Sequence, residues 1–343
     1  MDKFCQFGVS AALLAYEDSG IKLTDQEQEE FGIIIGSGIG GVDSFEKEHS
    51  VLLNKGPNRI SPYFITRLIG NMASGQASIL LGAKGYTGDT VTACASGTNA
   101  IGDAYRRIKY GDEKFMLAGG AEAAITPIAV GGFTVMKALS KNNEEPTKAS
   151  RPFDKNRDGF VLGEGSGIVF LEEYEHAINR GANIYAEIIG YGSTSDAYHI
   201  TLPEPGAKGQ SLCMKKALIE GGINPDMVQY INAHGTSTIA NDLTETKAIK
   251  ELFGEYAYKL AINSSKSMIG HLLGAAGGVE AIVLALSIKN NIIHPTINLT
   301  EPDPECDLDY TANNKRELNI NYGLTNSFGF GGHNYCLLMR KTT

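Results

Sequence analysis

The sequence has few prolines, little positive charge and no long apolar run. Its 343 residues contain 41 glycines against 11 prolines, a balance that suits the many tight turns of a large folded chain rather than disorder. We find no run of about 18 apolar residues and no basic segment followed by an apolar one, so neither a membrane span nor a secretion signal is predicted. The formal net charge of -9 argues against a nucleic-acid-binding protein.

Closely spaced cysteines are also missing. The five cysteines are widely separated and contain no CxxC pair, which argues against a disulfide framework and against a zinc site. This spacing favours a reducing compartment, so a cytoplasmic location is predicted, with no metal. The cysteines are Cys5, Cys94, Cys213, Cys306 and Cys336.

Cys94 is the most informative of them, because it stands where a predicted strand runs into a predicted helix. Residues 89–93 have strand character, and residues 97–110 have helical periodicity. Such an elbow places a thiol at a helix N-terminus, whose unpaired N–H groups favour the thiolate form. Taken alone, the pattern also fits a small buried cysteine. Cys94 is therefore a candidate nucleophile that needs support from elsewhere in the chain.

Two distant histidines provide that support. His234 follows an apolar strand predicted over residues 229–233, and His271 precedes a helix predicted over residues 274–289. Both are therefore expected at strand-to-helix junctions. A lone histidine in such a place is more often structural than catalytic, but one thiol and two imidazoles at equivalent positions suit acyl transfer.

The alternation of strands and helices occurs twice along the chain. The first series opens with a helix predicted over residues 2–19, which Gly20 ends, and the second restarts near residue 184. This repetition predicts an α/β protein made of two similar halves. We place the first half at residues 1–178 and the second at 179–343.

A glycine-rich loop at residues 35–41 follows a predicted strand and invites a dinucleotide-binding interpretation. We reject it, because no acidic residue is clearly placed to bind a ribose. No nicotinamide cofactor is therefore predicted.

Several further motifs follow one another along the chain. They are TACASG at 92–97, SRPFD at 150–154, RDGFV at 157–161, GEG at 163–165, SDAYH at 195–199, HGTST at 234–238, KSMIGH at 266–271 and NSFGFGG at 326–332. Any one of them could arise by chance, but all of them in this order could not. The chain resembles the type II β-ketoacyl-acyl carrier protein synthases, the condensing enzymes of fatty acid elongation, over essentially its whole length.

The resemblance implies both a fold and a reaction. The fold is thiolase-like α/β, with mixed five-stranded sheets in a layered α-β-α-β-α arrangement. The reaction is a decarboxylative Claisen condensation, in which an acyl-enzyme thioester and malonyl-acyl carrier protein give 3-oxoacyl-acyl carrier protein and CO₂. No cofactor is implied.

The resemblance also implies roles for individual residues. Cys94 is the nucleophile, His234 and His271 stabilise the enolate, and Lys266 is an electrostatic member of the site with Glu280 as its charge partner.

Further roles concern substrate binding. The backbone N–H groups of Cys94 and Phe330 form the oxyanion hole by resemblance, and Phe330 gates the acyl pocket whose wall Phe328 lines. Thr236 and Thr238 resemble the hydroxyls that hold the pantetheine arm.

The implied partners are acyl carrier protein and a second copy of the chain in a homodimer. Because carrier protein is acidic, its docking site should be basic. Arg59 and Lys137 match the family's docking positions, although either could be an ordinary solvated charge.

The largest departure from the family is at the N-terminus, where relatives have some seventy more residues and a first strand. Without that strand we expect two neighbouring strands to be left unpaired, and the 343-residue chain expressed alone to be insoluble or inactive. An inactive fragment is therefore one alternative. A non-catalytic chain-length-factor-like partner subunit is another, which the presence of Cys94 disfavours. A degradative thiolase is disfavoured because Cys336 lies in a strand-like run.

Overall fold

The computed structural model describes Met1 to Thr342, and these residues divide into two compact units. The first unit comprises Met1–Met136, Gly163–Ala182 and Leu272–Val279, and the second comprises Lys137–Leu162, Asn183–His271 and the described residues from Glu280 onwards. Each unit is therefore built from more than one stretch of chain. The boundary between residues 178 and 179 stays a prediction.

Helices and strands alternate over much of the chain, with three consecutive α-helices between the first two strands and four consecutive strands at the end. The helices are α1 (Lys3–Asp18), α2 (Val42–Lys55), α3 (Phe64–Leu68), α4 (Met72–Leu81), α5 (Ser96–Lys109), α6 (Pro127–Val135), α7 (Tyr174–Asn179), α8 (Lys208–Gly221), α9 (Ile239–Phe253), α10 (Lys266–Ile269) and α11 (Ala276–Asn290). The strands are β1 (Phe31–Gly36), β2 (Thr87–Gly88), β3 (Phe115–Glu122), β4 (Gly165–Glu172), β5 (Glu187–Ser195), β6 (Tyr230–Asn232), β7 (Ala261–Asn263), β8 (Ile292–Ile293), β9 (Arg316–Glu317), β10 (Tyr322–Gly329) and β11 (His333–Arg340).

A four-stranded sheet organises the first unit, in the order β2-β1-β3-β4. β1 runs parallel to both of its neighbours, and β4 runs antiparallel to β3. Every residue of β1 and β3 is buried, as expected for strands that are covered on both faces. Helices α1, α4 and α5 pack on this sheet. The apolar core that they bury includes Phe4, Ile33, Ile35, Phe115 and Leu117.

A five-stranded sheet organises the second unit, in the order β5-β11-β10-β6-β7. β11 runs antiparallel to both of its neighbours, and the pairs β10-β6 and β6-β7 are parallel. Helix α8 packs on β5 and β11, and α9 packs on α8. The core of this unit includes Met214, Ile231, Ile249, Leu324 and Leu338.

The two sheets share one strand order, in which β4 corresponds to β11. In the second unit β5 pairs with the outer edge of β11, whereas among the described residues β4 pairs only with β3. The first sheet as described thus has one strand fewer than the second, as the family resemblance implied. The prediction that two neighbouring strands are left unpaired is wrong, because β4 is an edge strand of the described sheet and the pairs β4-β3 and β3-β1 are both formed.

The helix predicted at residues 2–19 is confirmed as α1. The carboxylate of Asp2 caps it by accepting a hydrogen bond from the backbone N–H of Phe4. The helix ends just before Gly20, whose φ of 63° lies in the left-handed region that favours glycine.

One helical stretch is apolar enough by composition to cross a membrane. It is Leu273–Asn290, with a mean hydropathy of 1.3, and 61% of it is buried inside the fold. A mostly buried helix of this kind is typical of a protein core, so the stretch gives no support for a membrane span.

Candidate active site

Cys94 lies in a 3-10 turn, Ala93–Ala95, that leads directly into α5. Ser96 closes this turn, because its hydroxyl accepts a hydrogen bond from the N–H of Thr92 at 3.0 Å and donates one to the carbonyl of Ala93 at 2.7 Å. Ala93 has a φ of 51°, a left-handed conformation that is costly for alanine. The thiol therefore stands on a tightly closed elbow at the start of a helix.

The strand predicted at residues 89–93 is not formed, and β2 ends at Gly88. The carbonyl of Thr92 accepts a hydrogen bond from the N–H of Ala95 within the elbow, and the hydroxyl of Thr90 donates to the carbonyl of Ser96. The elbow thus uses the hydrogen-bonding groups that a strand would need.

His234 follows β6, at the strand-to-helix junction that the sequence predicts. The backbone N–H groups of His234 and Gly235 each donate to the carboxylate of Glu245 at 2.8 Å. Glu245 lies on α9, is fully buried, and also accepts a hydrogen bond from the amide of Asn326 at 3.2 Å. It fixes the backbone of the His234 loop, and nothing in the sequence pattern singled it out.

His271 does not follow a strand, so the prediction of a second strand-to-helix junction is wrong. The residues before it form the short helix α10, and a 3-10 turn, Leu273–Ala275, follows it. The N–H of His271 donates to the carbonyl of Val161 at 2.7 Å, and its ring packs edge-on against Phe160 with centroids 5.2 Å apart. Contacts from a distant part of the chain therefore position this histidine.

The imidazole rings of His234 and His271 contact each other edge to face in the second unit. Their ring centroids are 5.4 Å apart with an interplanar angle of 85°, and the ring of Phe328 lies 5.8 Å from that of His234. Burial, together with the nearby ammonium of Lys266, lowers the pKa of each histidine well below the usual value of 6.5. Both rings are therefore neutral near pH 7.

Lys266 forms a buried ion pair with Glu280, and their side chains are 1% and 0% exposed. Burial raises the pKa of Glu280 to about 7, and the adjacent ammonium opposes that rise. The Nζ of Lys266 also lies 3.3 Å from the Nδ1 of His234. Because an ammonium only donates hydrogen bonds, Nδ1 must be the acceptor, and the proton of neutral His234 must be on Nε2. Lys266 thus fixes the tautomer of His234.

The Lys266–Glu280 ion pair allows an effect on the stability of the fold to be separated from an effect on the reaction. Lys266→Met alone should lower the free energy of unfolding by about 3–5 kcal/mol, because it leaves the Glu280 carboxylate buried without its partner. The double variant Lys266→Met, Glu280→Gln should regain most of that stability without regaining activity, since His234 still lacks the ammonium that orients it. Urea unfolding and a malonyl decarboxylation assay measure the two effects. Activity in the double variant equal to that of the unsubstituted chain would contradict the role of Lys266.

The remaining predicted residues occupy defined places. The hydroxyls of Thr236 and Thr238 are hydrogen-bonded to each other at 2.8 Å. Phe330 is half-buried and begins the three-residue turn between β10 and β11, whose Gly331 and Gly332 have φ of 86° and 73°. Both glycines lack a Cβ atom and can therefore adopt these positive φ values, which other residues disfavour. Arg59 and Lys137 are exposed.

The predicted site residues are divided between the two units. The second unit brings together His234, His271, Lys266, Glu280 and Phe328. Cys94 and Arg59 belong to the first unit.

A buried arginine, the first residue of the RDGFV motif, stabilises the loop that carries His234, a role that the motif alone did not indicate. Arg157 donates to the carbonyls of Thr238 at 3.2 Å and Ile239 at 3.3 Å, and it pairs with Asp303 at 2.6 Å and Asp242 at 3.4 Å. In the part of the chain from Met1 to Thr342, no group of three or more His, Cys, Asp or Glu side chains could hold a metal ion.

The sequence matches two domain families, one after the other. Residues 1–177 match the N-terminal domain of the beta-ketoacyl synthases, and residues 185–300 match the C-terminal domain. The chain belongs to the beta-ketoacyl synthase family.

Its curated relatives carry a consistent name. The 3-oxoacyl-acyl-carrier-protein synthase 2 of Synechocystis is 53% identical over 341 residues, which cover 99% of this chain and 82% of the relative. The enzyme of the same name from Staphylococcus aureus is 54% identical over the same coverage.

Solved structures of ketosynthases have the same fold. A type II polyketide ketosynthase in complex with its acyl-carrier protein and bound to a hexaketide superimposes with a TM-score of 0.96 at 38% identity, over 99% of this chain and 85% of that one. A beta-ketoacyl synthase from Burkholderia phymatum gives 0.94 at 38% identity, over 100% and 83% of the two chains. The thiolase-like α/β fold predicted from the sequence is confirmed.

Proposed function

We propose that this ketoacyl synthase condenses an acyl group carried on Cys94 with malonyl-acyl carrier protein, giving 3-oxoacyl-acyl carrier protein and CO₂ in fatty acid elongation. The observation that carries the proposal is the pair of neutral imidazoles in edge-to-face contact, one of them oriented by a buried ammonium. The names of the relatives at 53% and 54% identity support the same reaction.

The first step is acylation of Cys94. Its thiolate attacks the carbonyl carbon of the acyl thioester, a new carbon–sulfur bond forms, and the carrier leaves as its own thiolate. The transient oxyanion accepts hydrogen bonds from the N–H of Cys94 and, by the family resemblance, from that of Phe330. One such donor contributes about 10²–10³ in rate.

The second step is decarboxylation of the malonyl group. The bond between its carboxylate and the methylene carbon breaks, CO₂ leaves, and the electron pair passes to the thioester as an enolate. The Nε2–H of His234 donates to the enolate oxygen, and His271 supplies a second donor from the ring beside it. No proton transfer is needed here, so neutral imidazoles are suited to the task.

The third step joins the two fragments. The enolate carbon attacks the acyl carbonyl on Cys94, a carbon–carbon bond forms, and the thiolate of Cys94 leaves. The enzyme returns to its starting state, with the product on the carrier protein. The hydroxyls of Thr236 and Thr238 are the proposed holders of the pantetheine arm.

Carrier docking is proposed at the exposed side chains of Arg59 and Lys137. Arg59→Glu and Lys137→Glu should each raise KM for the carrier-bound substrate several-fold and leave kcat unchanged, because the new glutamate repels the acidic carrier protein. The effect should shrink as salt is added. Steady-state kinetics at low and high ionic strength measure it, with Lys55→Glu as a control on another exposed charge. A change in kcat alone would contradict a docking role.

The proposed assembly is a homodimer in the cytoplasm. Helix α6 is apolar throughout except for Thr134, yet it has no buried residue. Val135 is 81% exposed and Ile128 is 54% exposed. An apolar helix with several exposed side chains is typical of an interface. Sedimentation equilibrium of the chain and of a Val135→Asp variant tests whether α6 carries that interface.

A product assay tests the proposed reaction. Incubation with acyl- and malonyl-carrier proteins should yield 3-oxoacyl-carrier protein and one CO₂ per condensation, as read by mass spectrometry. The likeness to a polyketide ketosynthase favours one second candidate, repeated condensation without reduction between rounds. Products longer than one two-carbon extension, formed without a reductase, would support that candidate. No acyl transfer at all would support the alternative of an inactive fragment or a chain-length-factor-like subunit.

A further inference from the structure

A buried carboxylate, that of Glu122, lies close to the nucleophile elbow, and the reaction described above does not use it. Glu122 is the last residue of β3, and its side chain is fully buried in the first unit. Burial raises the pKa of its carboxyl to about 7, and four hydrogen bonds to it act in the opposite direction.

These four hydrogen bonds come from two separate stretches of chain. The N–H groups of Gly38 at 2.7 Å and Ile39 at 3.3 Å and the hydroxyl of Ser37 at 3.0 Å donate from the loop after β1. The N–H of Gly274 donates at 2.9 Å from the 3-10 turn that follows His271 in the sequence. An ionised carboxylate can accept all four, whereas a protonated carboxyl would donate one of them instead, with the Ser37 hydroxyl as the available acceptor.

Both stretches pack against the elbow that carries Cys94. A side-chain carbon on Gly38 would lie 3.4 Å from the carbonyl oxygen of Ala93, and the turn Leu273–Ala275 packs on the turn Ala93–Ala95. The two stretches also touch each other, because a side-chain carbon on Gly274 would collide with the backbone N of Gly38. The elbow is thus held by two backbone segments that meet on Glu122.

We propose that Glu122 is a positioning residue for Cys94, whose carboxylate binds the Ser37–Gly38–Ile39 loop and the Gly274 turn together so that they hold the elbow in its strained conformation. Ala93 has a φ of 51° and would relax if its neighbours withdrew. Relaxation would turn the N–H of Cys94 away from the position in which it can stabilise an oxyanion. The inference rests on the proposed role of Cys94.

The test compares three single variants by their rate of Cys94 acylation. Glu122→Gln keeps the shape of the side chain but turns an NH₂ donor towards backbone donors, and we expect acylation to slow at least tenfold. Ser37→Ala removes one of the four donors and should slow acylation several-fold. The control is Glu113→Gln, which lies near the opposite end of β3, where its carboxylate accepts a hydrogen bond from the N–H of Tyr86. It should leave acylation unchanged.

A fourth variant, Glu122→Asp, keeps the negative charge and should recover part of the acylation rate. Two further readouts separate positioning of Cys94 from general stability. They are the thermal midpoint of each variant and the rate at which iodoacetamide alkylates Cys94, and both are compared with single-turnover acylation. Loss of stability in Glu122→Gln with an unchanged rate in the folded protein would overturn the proposal. If Glu122→Gln does not fold, an unchanged rate in Ser37→Ala overturns it.

The outcomes also distinguish this inference from the proposed function. If Cys94 of the unsubstituted chain accepts no acyl group, the proposed function fails, and the alkylation rates alone decide the role of Glu122. If Cys94 is acylated equally fast in all the variants, the proposed function stands and this inference fails.

Discussion

A Cys94→Ala variant should form no acyl-enzyme and no condensation product. The reason is that Cys94 stands on a tightly closed elbow that leads into α5, whereas Cys5, the other thiol near a helix start, lies buried within the first turn of α1. Intact mass after incubation with acyl-carrier protein should show the acyl adduct on the unsubstituted chain and none on the variant. An adduct that persists in Cys94→Ala would overturn the assignment.

The other four cysteines provide the controls. Burial raises the pKa of Cys5 to about 11 and that of Cys306 to about 12, and it raises the pKa of Cys213 and Cys336 further still. These groups remain thiols at neutral pH, so they are poor nucleophiles. Cys5→Ala and Cys306→Ala should therefore be acylated at the rate of the unsubstituted chain.

Local patterns in the sequence predicted those parts of the site that neighbouring residues create. The small residues around Cys94 and the apolar run before His234 indicated a helix start and a strand end, and the structure has both. The strand β1 followed from its buried apolar run. The hydrogen bonds of the elbow join residues close together in the chain, whereas the pairing of β1 with β3 joins Phe31 to Phe115 and was not predicted.

Long-range contacts explain what the sequence could not show. His271 is held by Val161, and Glu122 binds Gly274 across 152 positions of sequence. Glu245 lies beneath the His234 loop because α9 folds back on it, and a glutamate inside a helix is ordinarily a solvated residue. The pairing of Lys266 with Glu280 was expected only from the family resemblance.

Replacing either His234 or His271 by alanine should slow malonyl decarboxylation by a factor of about 10² or more, while acylation of Cys94 continues at least in part. Each variant removes one donor to the enolate oxygen but leaves the elbow and its thiol in place. Release of CO₂ and the acyl adduct on Cys94 are followed separately. His234→Gln, which keeps an N–H donor, should retain more activity than His234→Ala. Equal loss of both steps would instead make the histidines structural supports.

The same neutral imidazoles should make the fold sensitive to acid. Both histidines have a pKa well below 6.5 in the folded chain, so below pH 6.5 the unfolded chain binds more protons than the folded one. The stability that they contribute is therefore present above pH 6.5 and is lost as the pH falls further. Urea unfolding at pH 7.5 and pH 5.5 should show a smaller acid-induced loss in His271→Ala than in the unsubstituted chain. An equal loss in both would show that the pKa of His271 does not change on folding, which would contradict a buried neutral ring beside the ammonium of Lys266.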